Sequence, residues 1–531
     1  MTNSSGLLVW PFMPTRTAYL PTIGLVAGLV SLTSCSVGPD YVKPTVPQPT
    51  SYKEAGQWKK ADPRDDISKG NWYSVFHDAK LNELESKAVV SNQNLRAAIA
   101  RVSTARALAR ETEAGFFPTL NGSVVGSRQT TSPYDGAATA QSPGTSAVPR
   151  TFYTSATVVP FDLSYEVDIW GKVRRSFEEA GDKAQASIAD YENILLGLKA
   201  DVATDYYALR TADAEIDVQR RTIKEYQSAL DLTNSRFKGG ISTELDVQQA
   251  LATLAAAQAQ LAALDASRAK LEHALAVLTG VPPEGFSVPY NPLGMYNPPV
   301  IPPGLPSAML ERRPDVASAE RLVAAQNAAI GVAIAAYFPT VNLTGQTGFD
   351  SGDLGMLFNW QSRIWSYGPN IQFPLFEGGQ ISANVKQQKA TYEENVANYR
   401  ESVLVAFQDV DDSLSSLRYL SQQQEAQDRA YAAYNKALQL TNDRYTTGLV
   451  SYFDVIQAEN LALSAEQLTV QIRGDRVATT IQLIKALGGG WADSYVTQPE
   501  HGDHVASPNA PPTVLPVQKP APPLPANASQ K

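Results

Sequence analysis

The chain has 531 residues, with 44 Lys+Arg against 53 Asp+Glu for a formal charge of −9. Charged residues make up only 18%, below the roughly 25% of ordinary soluble domains, and a pI near 5.2 argues against nucleic acid, whose phosphates demand clustered Lys and Arg. One cysteine excludes an internal disulfide framework and every multi-cysteine metal cluster. The first element is an apolar run over 23–32, too short to span a bilayer and of the length of a signal-peptide core. Nowhere in the body are 18 consecutive residues apolar, so no transmembrane helix is expected there. Ala-rich helical sequence over 95–114 stops at Phe117-Pro118. Two strands are predicted next, at about 118–127 and 152–169, separated by a Ser/Thr/Gly/Pro-rich loop over 128–150. From 172 to 238 there is no proline and little glycine, which predicts one helix roughly 100 Å long. It turns near 239–243 and doubles back. In the returning helix Ala250, Leu254, Ala257, Leu261, Leu264, Arg268, Leu271, Leu275 and Leu278 form a heptad seam with one polar break at Arg268.

A Pro-rich linker over 281–304 leads to the same order again. Helical sequence over 316–336 stops at Phe338-Pro339, strands follow at about 339–349 and 364–375, and a second proline-free run covers 380–446. It turns near 447–451, and Arg476 takes the place of Arg268. The second repeat thus spans 305–490 and the first 79–280, after an extended segment over 35–78. Residues 491–531 are Pro/Ala-rich, lack periodicity and read as a disordered tail.

The repeat is explicit. Ala229–Ala250 and Ala437–Ala458 are identical at 11 of 22 positions, among them Arg236/Arg444, Gly240/Gly448, Asp246/Asp454 and Gln249/Gln457, at an offset of 208. Phe-Pro-Thr-Leu-Asn at 117–121 matches Phe-Pro-Thr-Val-Asn at 338–342 at an offset of 221, so the first copy carries 13 more residues between these landmarks. The loop over 128–150 is their natural place.

The strands alternate. Val159, Phe161, Leu163, Tyr165, Val167 and Ile169 share one parity, with Asp162, Ser164, Glu166 and Asp168 on the other. Trp365, Tyr367, Ile371, Phe373 and Leu375 oppose Ser366, Asn370 and Gln372. Alternation over about ten residues with aromatics at one end suits a transmembrane β-strand. Four strands are too few to close a barrel, and open sheet edges do not survive in lipid. Chains must therefore pool strands, and the count alone allows two, three or four of them.

The run over 23–32 ends in Leu32-Thr33-Ser34-Cys35, which resembles the lipobox of bacterial lipoproteins. That resemblance implies a signal peptide over 1–34, acylation of Cys35 and, because Ser36 rather than Asp follows, sorting to the outer membrane. Met13 offers an alternative start to Met1.

The segment Leu310-Glu311-Arg312-Arg313-Pro314-Asp315-Val316, continuing through Ala319-Glu320 and Ile330-Gly331 to Tyr337-Phe338-Pro339, resembles the hallmark of TolC-like outer membrane factors, more narrowly the NodT-type lipoproteins of RND efflux systems. Cys35-Ser36-Val37-Gly38-Pro39-Asp40-Tyr41, Asp168-Ile169-Trp170-Gly171-Lys172 and Pro374-Leu375-Phe376-Glu377-Gly378-Gly379 are similar to its mature N-terminus and its two strand-to-helix exits. The resemblance covers about residues 35–490. It implies an α+β membrane protein whose long antiparallel coiled-coil helices form a barrel beneath a transmembrane β-barrel, completed by trimerisation with four strands per chain. It further implies a passive efflux duct in the outer membrane, docked on a periplasmic adaptor protein and an inner-membrane RND-type transporter.

In this family the helix tips converge and close the periplasmic entrance. The resemblance places Asp454 and Phe453 in that constriction and lets Tyr445 reach Asp246 to hold it shut. Gln457 stands where the family has a second acid. Gly239, Gly240, Ile241 and Ser242, with Gly448, Leu449, Val450 and Ser451, are the adaptor-contacting turns. A ring of three carboxylates would favour cations and titrate at raised pH. Gly240 and Gly448 also suit a helix C-cap, and the aspartates a helix N-terminus, on purely structural grounds.

No catalytic constellation, phosphate loop or metal motif is present, so neither enzyme activity nor a cofactor beyond the Cys35 lipid is expected. A self-contained porin would need at least eight strands, and a purely structural coiled-coil lipoprotein would not need the alternating aromatics. A duct for type I protein secretion is the alternative within the same architecture, since the inner-membrane partner chooses the substrate.

Overall fold

The computed structural model describes residues 36–46, 53, 71–131, 152–294, 296–299, 301 and 312–489. The signal segment, Cys35, the loop over 132–151, Leu310-Glu311 and the tail from 490 lie outside the described residues. Helix α1 (Ala79–Ser91) starts at Asp78, whose carboxylate accepts the amides of Lys80 and Leu81 at 2.8 and 3.1 Å. Helix α2 (Gln93–Glu113) starts at Asn92, whose side chain accepts the Leu95 amide at 3.0 Å. Such caps satisfy donors that the first helical turn cannot satisfy itself.

The long elements come in matching sizes. Helices α3 (Lys172–Lys238) and α6 (Gln380–Thr446) have 67 residues each; α4 (Glu244–Leu278) and α7 (Tyr452–Ala486) have 35 each. Helix α5 (Pro314–Ala335) opens on a proline, which costs nothing where the amide would be unpaired anyway. The chain enters α3 and α6 through Gly171 at φ 77° and Gly379 at φ 90°, a left-handed geometry that favours glycine. Helix α3 packs on α2, α4, α5 and α7, while α6 packs on α5 and α7.

Two cores tie the middle of α3 and of α6 to the C-terminal ends of α4 and α7. The first joins Trp72, Phe76, Leu81, Leu84, Leu95, Tyr206, Leu275, Val288, Val477 and Ile481. The second joins Val316, Val323, Tyr399, Val403, Val410, Leu414 and Leu483 from α5, α6 and α7. Leu81 and Leu84 are wholly enclosed, and burying each contributes roughly 1.5–3 kcal/mol.

The strands form one antiparallel sheet. Its members are β1 (Thr119–Gly122), β2 (Val125–Thr131), β3 (Phe152–Glu166), β4 (Thr340–Ser351) and β5 (Arg363–Gln372), with β3 and β4 central. Here the expected single strand over 118–127 needs correction. It is two segments, β1 and β2, both paired with β3 in one continuous register from Gly122↔Phe161 to Val125↔Val158. Pro160 is the cause. Its carbonyl accepts the Ser123 amide at 3.1 Å, but proline has no N–H to return, so the ladder skips there. The sheet therefore has five segments on four ladder positions. The strands also stop earlier than expected, at Glu166 and Gln372, leaving exposed Phe373 and Leu375 beyond the last rung.

Register sorts the side chains onto two faces. Leu120, Val159, Phe161, Leu163, Tyr165, Leu343, Phe349, Trp365, Tyr367 and Ile371 share one; Asn121, Asp162, Ser164, Asn342, Thr344, Gln346, Ser366 and Asn370 share the other. In a water-soluble sheet the apolar face would be covered. Here Trp365 is 65% and Tyr367 81% exposed. No helix among the described residues is long and apolar enough to cross a membrane.

Candidate functional site: the helix tips

The tips at the far end from the sheet are built alike. Helix α3 ends with Ile241 N–H to Arg236 C=O at 2.9 Å and Gly240 N–H to Phe237 C=O at 2.9 Å; α6 ends with Leu449 N–H to Arg444 C=O at 2.9 Å and Gly448 N–H to Tyr445 C=O at 3.0 Å. Gly240 has φ 73° and Gly448 φ 77°, the left-handed residue such a C-cap requires. Each returning helix opens with a capping box. Asp246 Oδ2 accepts the Thr243 amide at 2.9 Å, and Asp454 Oδ2 accepts the Ser451 amide at 2.9 Å. Ser242 adds a further hydrogen bond to Asp246 at 2.8 Å.

These bonds correct one expectation. No hydrogen bond joins Tyr445 to Asp246, because the Asp246 oxygens are engaged by Ser242 and Thr243 within their own turn. The link between tips is instead Arg236, whose guanidinium lies 4.3 Å from the Tyr445 ring centroid. Within the single chain both tip aspartates are held low. The Thr243 amide and Ser242 hydroxyl hold Asp246 below the usual carboxylate range, and the Ser451 hydroxyl and amide do the same for Asp454. Phe453, Asp454 and Gln457 are all exposed, as are Gly239, Ile241, Leu449 and the N-cap Ser451. Behind them a small apolar cluster of Tyr226, Leu230, Ala250, Leu254, Tyr452 and Val455 joins α3, α4 and α7, with the Tyr445 and Tyr452 rings 5.6 Å apart.

Sequence reasoning found the polar break at Arg268 but not its purpose. Arg268 donates to Asp213, a fully buried carboxylate, at 2.6 Å and to the Val288 carbonyl at 2.9 Å. Asp213 also accepts the Asn291 amide at 2.9 Å, and Arg210 donates to the Pro289 carbonyl at 2.8 Å. The Pro-rich linker is thus laced onto α3 and α4 by buried charge. An isolated Asp within a long polar helix carried no signal of this; only packing across 55 positions reveals it.

The start of the mature segment is pinned where sheet meets helices. Val37 N–H donates to the Trp170 carbonyl at 3.0 Å, Asn327 to that of Pro39 at 2.8 Å, and Arg175 to Asp40 at 2.7 Å. Tyr41 donates to Glu320 at 2.5 Å. Gly38, at φ 104°, lies so close to Gly331 that a Cβ on it would sit 2.5 Å from the Gly331 Cα. Ser36 rests against Gly171 at the β3-to-α3 exit, and Trp170 stacks on Phe338 there at 4.7 Å.

Residues 84–281 and 305–489 match the outer membrane efflux protein family. The chain belongs to that family. As an outer membrane efflux protein it is 34% identical over 473 residues to the toluene efflux pump outer membrane protein TtgI of Pseudomonas putida, spanning 88% of this chain and 97% of the relative. It is 30% identical over 464 residues to the cation efflux system protein CusC of Escherichia coli strain K12, spanning 87% and 97%. Among solved structures it superposes on the outer-membrane channel OprN with a TM-score of 0.78 at 28% identity, covering 86% of this chain and all of that one. The Campylobacter jejuni CmeC outer membrane channel matches with a TM-score of 0.78 at 26% identity, covering 87% and 96%. The protein is therefore an outer-membrane channel component of an efflux system, with its sheet at the membrane and its helices in the periplasm.

Proposed function

We propose that this outer membrane efflux protein is a passive homotrimeric duct, opened at its helix tips by a periplasmic adaptor and fed by an inner-membrane RND-type pump. The observation that carries the reading is the sheet: its apolar face is exposed and both its edges, β1/β2 and β5, are unpaired among the described residues. Unpaired edges in lipid leave each amide and carbonyl unsatisfied at several kcal/mol apiece. Three copies would bring twelve ladder positions, enough for a closed barrel. Two internal repeats are supported by the paired helix lengths and by matching bonds: Gln219 donates to the Ala257 carbonyl at 2.9 Å and Gln427 to that of Ala465 at 3.0 Å, both shifted by 208. Acylation of Cys35 fits this reading, since the adjacent Ser36 lies against Gly171 where the sheet gives way to α3.

The tips, with Asp246, Tyr445, Phe453, Asp454 and Gln457, form the periplasmic gate in this reading, and the turns 239–242 and 448–451 meet the adaptor. By their names, relatives serve pumps for toluene and for cations; the substrate here is set by the pump and not by the duct. Purified protein in planar bilayers tests the proposal. It should conduct without nucleotide, and Asp454→Ala should lower cation selectivity. An assembled protein that inserts but never conducts would refute it. Separately, Cys35→Ser should abolish labelling with radioactive palmitate.

A further inference from the structure

Glu459 is one residue whose chemistry the duct does not use. It lies on α7 at the membrane-distal end, close behind the tip cluster, and its Oε2 is buried with no hydrogen-bond partner. From α3 it faces Glu225 and Tyr226; on its own helix Tyr452 lies nearby, and Tyr445 stands beyond that ring. Tyr226 does not serve it, since the Tyr226 hydroxyl pairs with Asn460 at 3.2 Å. Along α3, Lys224 precedes Glu225 and Arg221 lies one turn back; Arg221 pairs with Glu466 at 2.7 Å, and no ion pair joins a cation to Glu459 among the described residues. A half-buried carboxyl beside a second carboxyl, with aromatic rings around it and no ion-pair partner, favours its protonated form.

We propose that Glu459 and Glu225 form a proton-sensitive spacer between α7 and α3: protonated, Glu459 lets the two helices close at the tip, and ionised, it is repelled by Glu225 and parts them. This rests on the tips being the gate. Burial first, and Glu225 second, push the Glu459 carboxyl up to about 7, so the switch falls in the range where outside and periplasmic pH vary. Because the raised value marks a neutral closed form, closure is favoured on the acid side and weakened as pH rises through about 7.

Single-channel conductance of the purified full-length assembly, read across pH, tests this. Wild type should pass from a low to a higher conductance with a midpoint near neutral pH. Glu459→Gln, which keeps the shape of the side chain, should stay at the low level throughout. Glu225→Gln should keep the transition but move its midpoint to lower pH. Asp454→Ala and Arg236→Ala at one fixed pH report on the gate itself. If they change selectivity or conductance while wild type shows no transition, or while Glu459→Gln titrates like wild type, the spacer is overturned and the gate stands. If neither they nor the Glu459 variant alters anything, the gate reading fails with it.

Discussion

The two long helix pairs share lengths, turns and capping boxes, yet they differ at the polar break in their seams. In the first pair Arg268 meets the fully buried Asp213 at 2.6 Å, and the linker closes over both through Val288 and Asn291. In the second, Arg476 bonds Gln424, its Nε is buried without a partner, and burial holds its pKa below the usual guanidinium value. The position 208 residues after Asp213 is Ser421, and the acid that acts on Arg476, Asp428, is partly exposed and pairs with Arg473 at 3.3 Å. One pair is braced by a buried ion pair and the other is not. Removing one partner of a buried pair leaves an uncompensated charge, whereas a pair that never formed costs nothing to lose. The first pair is thus the more firmly braced of the two.

The largest effect should come from breaking that asymmetry. Asp213→Ala removes the buried acid of Arg268, leaving it Glu272 at 3.1 Å, and should cost about 3 kcal/mol in denaturant unfolding of the detergent-solubilised assembly, while Ser421→Ala should be near neutral. Equal losses at both sites would erase the distinction between the braced and the unbraced seam.

A second contrast concerns buried acids on the helices flanking α3. Glu320 on α5 is engaged by Tyr41 and Arg321, whereas Glu85 on α1 is fully buried with both oxygens unpaired. Burial pushes the Glu85 carboxyl up to about 9, partly offset by Lys199. A raised value means its contribution is complete below the ordinary carboxylate pKa and declines as pH climbs toward about 9. Glu85→Gln should therefore stabilise the protein by about 1–3 kcal/mol in the alkaline range and by little in acid. Melting curves at two pH values check this, and a gain independent of pH would mean that Glu85 has another partner.

The caps should not discriminate at all. Thr243→Ala should cost about 1 kcal/mol, and Ser451→Ala should match it, because each removes the same N-cap hydroxyl bond to the aspartate three residues on. Both aspartates are held below their ordinary range, so these contributions hold at neutral pH and fade only as pH falls through the lowered values. Unequal losses would show that one tip carries strain the other lacks. Smallest is the tie between tips: Arg236→Ala removes a cation–π contact worth about 0.5–1 kcal/mol at an exposed site and should raise open probability a few-fold. Its counterpart Arg444→Ala should leave gating unchanged.

How much of this was legible in the sequence depends on how local each cause is. The proline-free run over 172–238 is one helix because nothing within it breaks the i to i−4 ladder. Gly240 and Gly448 cap their helices because left-handed backbone is a property of the residue itself. Alternation put Trp365 and Tyr367 on one face because strands have period two. The interruption opposite Pro160 was also local, and a proline inside the alternating run was its signal. The tip link was misassigned because Arg236 and Tyr445 belong to different repeats, and no spacing rule says which of several tip residues meet. Asp213 escaped notice for the same reason. The N-terminal motif was recognised, but that its Gly38 abuts Gly331 required the fold.

Native mass spectrometry of the intact protein in mild detergent bears most directly on the pooled-strand duct. The account predicts a single species at three times the mass of the acylated chain, since only shared edges can satisfy β1/β2 and β5. A monomer that still inserts into bilayers and conducts would contradict it.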